Sequence, residues 1–196
     1  MANPPENSVL ILTRAQWRDW LRVNHQNSEG IWLIRYKKAT AKPFVSYDET
    51  VEEALCFGWI DSKPGKLDEE RSMLYFAPRK AGSGWSRPNK ERIARNLKAG
   101  LMMPAGLAKI EAAKQDGSWE RLDSVENLEF PIDLLEAISQ YPDARAYWEA
   151  FPRSVKRGIL EWIINTKRPE TRAKRIAETA LLASKNQRAN QWKAKP

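Results

Sequence analysis

The sequence predicts an α+β protein: a small mixed β-sheet with helices, followed by an all-helical C-terminal third. Three observations support this class. Short runs typical of strands, rich in β-branched and aromatic residues, lie between residues 30 and 78. Segments with helical spacing of apolar residues lie between these runs. After Pro131, the apolar residues follow helical spacing alone.

The first helix and the first predicted strand are marked by their end signals and by composition. Thr13 and Gln16 stand at capping-box spacing, which predicts a helix from about residue 14 to residue 24. The run GIWLIRYKK, residues 30–38, is rich in Ile, Trp and Tyr. It predicts a strand.

A second helix follows the same logic. Ser46 and Glu49 form another capping box, and Gly58 stands where a helix-terminating glycine belongs. This helix lies between two predicted strands, GIWLIRYKK and WIDS. It is long enough for a parallel crossover between them.

The next segment predicts an antiparallel hairpin. WIDS, residues 59–62, is typical of a short strand, and SMLYFAP, residues 72–78, of a further one. The segment KPGKLDEE between them, residues 63–70, contains Pro and Gly and is typical of a turn. Its short length suits antiparallel neighbours.

Helices account for the rest of the chain. RPNKERIARNLKAG and PAGLAKIEAAKQDG each have Pro in the first turn and Gly at the end, which predicts two helices. Beyond residue 131, four apolar patterns with helical spacing predict four more. The residues that define them are Ile132, Leu135 and Ile138; Ala144, Tyr147, Trp148 and Phe151; Val155, Ile159, Trp162 and Ile163; Ala173, Ile176, Ala177, Ala180 and Leu181.

The same patterns predict the domain organisation. We expect an α+β core region over residues 10–130 and a helical C-terminal region over residues 131–188, packed on the core. Residues 189–196 are expected to be a frayed tail.

Composition excludes several classes of function. The 196 residues contain one Cys and one His, so a Cys/His zinc site cannot be assembled, and no catalytic residue, metal or cofactor is predicted. No apolar run approaches the roughly 18 residues of a membrane helix, and the N-terminus lacks signal-peptide features. We therefore expect a cytoplasmic protein without membrane insertion.

Charge is distributed unevenly along the chain. The formal net charge is +8 overall, with segment values of 0 for residues 1–65, +5 for 66–100, −6 for 101–152 and +9 for 153–196. Such alternation is typical of solvated helix faces. It is also compatible with basic faces that bind phosphates or acidic proteins.

The strongest chemical signal lies at residues 79–98, with seven Lys/Arg and one opposing Glu. If Ser86 caps the following helix, its free N–H groups and the guanidiniums of Arg79 and Arg87 converge on one point suited to phosphate, sulfate or carboxylate. Trp85 would form one wall of this cleft, and Asp61 would lie on its rim. The alternatives are a solvated loop, a structural plug for Trp85, and a turn cap or ion pair for Asp61.

Four motifs also carry a resemblance: VEEALCFGWIDS, PRKAGSGWSRPNKERI, MPAGLAKIEAAKQDGSW and WIINTKRPETRAKRIAET. In this order they closely resemble the bacterial YdeI/OmpD-associated family, also called bacteriocin-protection proteins, from roughly Leu10 to Arg188. The resemblance implies a link to bacteriocin resistance or to an outer-membrane porin. It implies no active site or ligand for particular residues.

Three function classes remain open. The first is a non-catalytic stress-protection or binding protein for an anionic small molecule or acidic protein. The second is nucleic-acid binding, indicated by a cluster of five cations early in the last helix. The third is an enzyme for an anionic small molecule, with Asp61 as acid or base and Arg79 holding the anion. The five cations of the second class are Lys167, Arg168, Arg172, Lys174 and Arg175. The oligomeric state is not predicted.

Overall fold

A parallel β–α–β unit begins the fold of the computed structural model, which describes residues 3–191. Strand β1 (Ser8–Leu10) pairs in parallel with β2 (Ile31–Tyr36), and helix α1 (Arg14–Asn24) connects them. The predicted helix is confirmed, with the Thr13 side chain accepting a hydrogen bond from the Gln16 backbone N–H. Strand β1 was not predicted, because its three residues become a strand only by pairing with β2.

The four-stranded sheet is mixed, in the order β1-β2-β4-β3. Strands β3 (Trp59–Lys66) and β2 are both antiparallel to β4 (Arg71–Pro78), so they run parallel to each other on either side of it. Helix α2 (Tyr47–Cys56) connects β2 to β3, and its predicted capping box is confirmed in both directions. The α+β class predicted from the sequence is confirmed.

The hairpin between β3 and β4 is tighter than the sequence predicted. Pro64 and Gly65 were predicted to lie in the turn, but they belong to β3, so this part of the prediction is wrong. Strand β3 lies at the sheet edge and its register shifts between Asp61 and Pro64. Edge strands and bulges are the places in a sheet that tolerate proline.

Two further helices complete the first unit, residues 1–121: α3 (Arg87–Lys98) and α4 (Pro104–Gln115), both as predicted. A Cβ at Gly106 would lie 2.3 Å from the Cys56 carbonyl oxygen, so α4 approaches α2 too closely for any side chain there. The core of this unit is formed by buried side chains from the sheet and helices. They include Trp17, Leu21, Leu33, Val51, Leu55, Cys56, Trp59, Phe76, Trp85 and Ile93.

The second unit, residues 122–196, is helical throughout its described part. Its helices are α5 (Asp123–Glu126), α6 (Ile132–Ser139), α7 (Ala144–Ala150), α8 (Arg153–Ile164) and α9 (Pro169–Ser184). Its core contains Leu134, Ile138, Trp148, Ile159, Leu160, Ile163, Ile176 and Ala180.

Three details of the second unit differ from the predictions. The boundary falls after Arg121 and not near residue 130, because Val125 of α5 is buried in the helical core. Ile132, assigned to the buried face of α6, is 75% exposed, and Leu134 is buried with Ile138. Ala189 is 1% exposed in the same core, so the predicted frayed tail does not begin there. Residues 192–196 of that tail lie outside the described residues.

Candidate functional site

The loop after β4 turns the side chain of Arg79 into the first unit. The Arg79 backbone N–H donates to the Gly58 carbonyl, which continues the edge of the sheet. Its guanidinium Nη2 donates to the carbonyls of Ser83 and Gly84. The guanidinium carbon lies 3.6 Å from the ring centroid of Trp85. Arg79 is 5% exposed and Trp85 2% exposed, so the loop encloses a stacked cation and indole.

The charge of Arg79 has no carboxylate partner within salt-bridge distance anywhere in residues 3–191. Its Nε is buried and lacks a hydrogen-bond partner among the same residues. Burial lowers the pKa of Arg79 to about 10, against a smaller opposing effect from the Asp61 charge. The group therefore stays protonated at neutral pH. A buried cation held only by carbonyls and a ring is costly unless an anion joins it.

A small cavity adjoins this arginine. Its volume is about 60 Å³, roughly that of two water molecules at ~30 Å³ each. Lys80 and Lys109 add positive charge to its wall, and Asp116 is the one carboxylate among its lining residues. The complete lining is Arg79, Lys80, Ala81, Gly82, Trp85, Lys109, Ala112, Ala113, Asp116 and Ser118.

Two contacts with the end of α4 hold the loop over the cavity. The Asp116 carboxylate accepts from the Gly82 N–H at 3.1 Å and from the Ser118 N–H at 2.9 Å. Arg121 donates to the Gly82 carbonyl at 2.5 Å. Gly82 has φ of +69°, a left-handed conformation that favours glycine. The Asp116 carboxylate thus accepts hydrogen bonds from backbone N–H groups, and cations outnumber carboxylates among the residues that line the cavity.

The structure unites only two of the five residues predicted for this site. Arg79 and Trp85 line the cavity together, whereas Ser86, Arg87 and Asp61 do not. Ser86 occupies the N-cap position of α3, but its side chain makes no capping bond. The reason is Pro88, which removes the N2 donor, while the Asn89 N–H donates to the Ser86 carbonyl instead. The expectation of a Ser86 cap is wrong.

Arg87 and Asp61 lie elsewhere in the first unit. Arg87 is exposed in the first turn of α3. Asp61 lines a separate cleft, where its carboxylate accepts a hydrogen bond from the Tyr47 hydroxyl. Lys109 and Asp116 were not predicted, because α4 contacts the loop only through the tertiary fold.

The cation cluster predicted to bind nucleic acid is partly engaged within the second unit. Arg172 of α9 forms two hydrogen bonds with the Asp133 carboxylate, at 2.7 and 3.0 Å. Arg175 donates to the Trp162 carbonyl and lies 4.6 Å over its ring. The other three cations of the cluster are exposed: Lys167, Arg168 and Lys174.

Two further observations concern metals and membranes. Within residues 3–191, no group of His, Cys, Asp and Glu side chains is placed to hold a metal ion. In the same part of the chain, no helix is both long enough and apolar enough to cross a bilayer. The single cysteine, Cys56, is buried in the core, and burial raises the pKa of its thiol to about 11.

Fold and site together define a two-unit protein. One unit is a mixed-sheet α+β unit that encloses an arginine with no carboxylate partner among the described residues, and the other is helical. The chain belongs to the family described as a domain of unknown function, DUF8412, whose model matches residues 9–109, just over half of the chain. Residues 127–186 match the family described as bacteriocin-protection, YdeI or OmpD-associated.

The second match confirms the resemblance seen in the sequence, over a shorter range than predicted. The motif WIINTKRPETRAKRIAET lies within it, whereas VEEALCFGWIDS and PRKAGSGWSRPNKERI lie in the region matched by DUF8412. Comparisons with curated proteins and with solved structures gave no match.

Proposed function

We propose that this chain is a binding protein whose α+β unit takes up a small anion, or the anionic end of a larger molecule, beside Arg79. The observation that supports this proposal is the buried Arg79 guanidinium, which has no carboxylate partner in the described residues and whose Nε has no acceptor there. An anion at Nε supplies both the missing charge and the missing hydrogen-bond acceptor.

The contacts within the fold offset only part of the free-energy cost of burying the Arg79 charge. Stacking on Trp85 contributes ~2 kcal/mol when the pair is desolvated, and the two carbonyl acceptors add neutral partners. Desolvating a cation costs several kcal/mol in real proteins. The remaining cost is what anion binding offsets, so binding also stabilises the fold.

The cavity sets the size and kind of anion. A volume of about 60 Å³ accommodates a halide, a nitrate or one carboxylate group. It is well below the roughly 300 Å³ at which pockets for drug-sized ligands begin. Lys80 and Lys109 supply two more cations at the wall, against the single carboxylate of Asp116. This excess of positive charge favours an anionic group.

Thermal or urea unfolding at increasing anion concentration tests the proposal. Chloride, nitrate, formate and acetate are each titrated into wild type and into Arg79→Met, so that the variant gives the general effect of ionic strength. A hundredfold excess over the dissociation constant is expected to raise the free energy of unfolding by ~2.7 kcal/mol.

Arg79→Met removes the charge and retains a long apolar side chain. This variant is expected to fold and to lose the dependence on small anions. Arg22→Met is the matched control, because Arg22 is exposed and pairs on the surface with Asp19. The proposal fails if wild type shows no dependence on small anions, or if Arg79→Met retains it.

A further inference from the structure

A second cleft in the α+β unit is lined by residues of β2, β4 and β3 and by the start of α2. Arg35 of β2 and Asp61 of β3 both line it, together with Tyr47, the first residue of α2. Its volume is about 250 Å³. Arg35 lies two residues beyond buried Leu33, and Asp61 two residues beyond buried Trp59, so the strand period places both on the helix-covered face.

The two opposite charges in this cleft are not paired. In residues 3–191, neither Arg35 nor Asp61 has an opposite charge within salt-bridge distance, including each other. Each is instead held by neutral groups. The Arg35 guanidinium donates to the Val45 carbonyl at 2.8 Å and lies 5.9 Å from the Phe44 ring centroid. The Asp61 carboxylate accepts from the Tyr47 hydroxyl at 3.0 Å.

These neutral contacts keep a cation and an anion apart on the wall of one cleft. A ligand with a negative group for Arg35 and a positive group for Asp61 would satisfy both at once. The rest of the lining includes the apolar residues Pro64, Met73 and Leu74. The strand register places Pro64 and Leu74 on the same face of the sheet as Arg35 and Asp61. The remaining lining residues are Ser62, Gly65 and Ser72.

We propose that this cleft binds a free amino acid with an aliphatic side chain. The carboxylate of the ligand contacts the Arg35 guanidinium, and its ammonium group donates to the Asp61 carboxylate. The aliphatic side chain lies against Pro64 and Leu74. The site is distinct from the cavity at Arg79, which does not include Arg35, Tyr47 or Asp61 among its lining residues.

Isothermal titration calorimetry of the full chain tests this proposal. The probes are glycine, alanine, valine, leucine and methionine, each up to about 10 mM, which detects dissociation constants near 1 mM. Acetate and methylamine are half-ligands that carry only one of the two charges. They are compared with the amino acids in Arg79→Met, because the Arg79 cavity of wild type is itself expected to take up acetate. At least one aliphatic amino acid is expected to bind, and both half-ligands to bind at least about tenfold more weakly, because each loses one charged contact.

Two charge variants and one cleft-filling variant locate the binding. Asp61→Asn and Arg35→Gln are each expected to weaken it about tenfold or more. Ser72→Leu fills the cleft from β4, leaves both charges in place and is expected to abolish binding. This variant tests the proposal even if neither charge variant folds. Asp19→Asn, on the exposed surface, is the matched control.

Three results would overturn the proposal: no amino acid binds, acetate binds Arg79→Met as tightly as the amino acids do, or a folded Ser72→Leu variant retains full affinity. Arg79→Met is expected to bind amino acids as wild type does. Failure at this cleft and failure at the Arg79 cavity are therefore separate outcomes.

Discussion

The Arg79 guanidinium carbon lies over the indole of Trp85, 3.6 Å from the ring centroid, and both side chains are buried. Sequence neighbours six positions apart thus form the wall of one cavity. The indole shields the cation from water, which strengthens any contact the cation makes with an anion. The proposed anion site depends on this pair of side chains.

The first prediction concerns two tryptophans in the described part of the helical unit. Trp148 is 2% exposed and contacts the rings of Phe130 and Phe151. Trp148→Ala is expected to lower the free energy of unfolding by ~3–5 kcal/mol. Trp162 is only half-buried beneath Arg175, so Trp162→Ala is expected to cost ~1–2 kcal/mol. Urea unfolding followed by circular dichroism compares them, and equal costs would contradict the assigned core.

A second prediction concerns a buried carboxylate. Glu53 of α2 is 2% exposed and receives hydrogen bonds from Arg14 at 2.5 Å and Arg18 at 2.6 Å. Glu53→Gln leaves two guanidiniums without that charge, and is expected to cost ~3–5 kcal/mol. Asp19→Asn breaks an exposed pair with Arg22 and should change stability by less than ~1 kcal/mol. If both variants lowered the free energy of unfolding by a similarly small amount, the Glu53 carboxylate would not be the buried partner of Arg14 and Arg18.

Cys56 offers a direct probe of the core. Burial raises the pKa of its thiol to about 11, from an ordinary value of 9. The thiol contributes stability below pH 9 that is lost as pH rises through 11, since the unfolded thiol ionises first. At pH 8, a thiol reagent should react with the native protein only as fast as it unfolds. Rapid stoichiometric labelling of the folded chain would contradict the burial of Cys56.

Tyr47 should ionise later than an ordinary tyrosine. Burial, and then the neighbouring Asp61 charge, raise the pKa of its phenol to about 12. Its stabilising effect is present below pH 10 and is lost as pH rises toward 12. The difference in phenolate absorbance between wild type and Tyr47→Phe measures this midpoint, with the fold checked at each pH. We expect Asp61→Asn to lower the midpoint, and a wild-type midpoint near 10 would refute the contact.

Local signals predicted the helices well. Thr13 and Ser46 satisfy backbone N–H groups three residues on, and such contacts depend only on nearby residues. Ser86 has the same kind of position but a proline two residues later, and there the local rule failed. Strand β1 depends on pairing with β2, and the length of β3 depends on its place at the sheet edge. Neither feature could be predicted from neighbouring residues in the sequence.

The candidate site was predictable only in part. Arg79 and Trp85 are close in sequence and were predicted together. Lys109 and Asp116 reach the cavity from α4, and Arg35 meets Asp61 from a strand that is not its neighbour in the sheet. The spacing of these residues along the chain does not predict that they come together, because the sheet order and the packing of α4 bring them together.

The most direct test of the central claim is anomalous diffraction from crystals soaked in sodium bromide. Bromide is monatomic and fits a cavity of about 60 Å³. The account predicts an anomalous peak in that cavity, in contact with Arg79 Nε, and its disappearance in Arg79→Met crystals soaked in the same way. Bromide peaks found only at other surfaces of the molecule, with none beside Arg79, would contradict it.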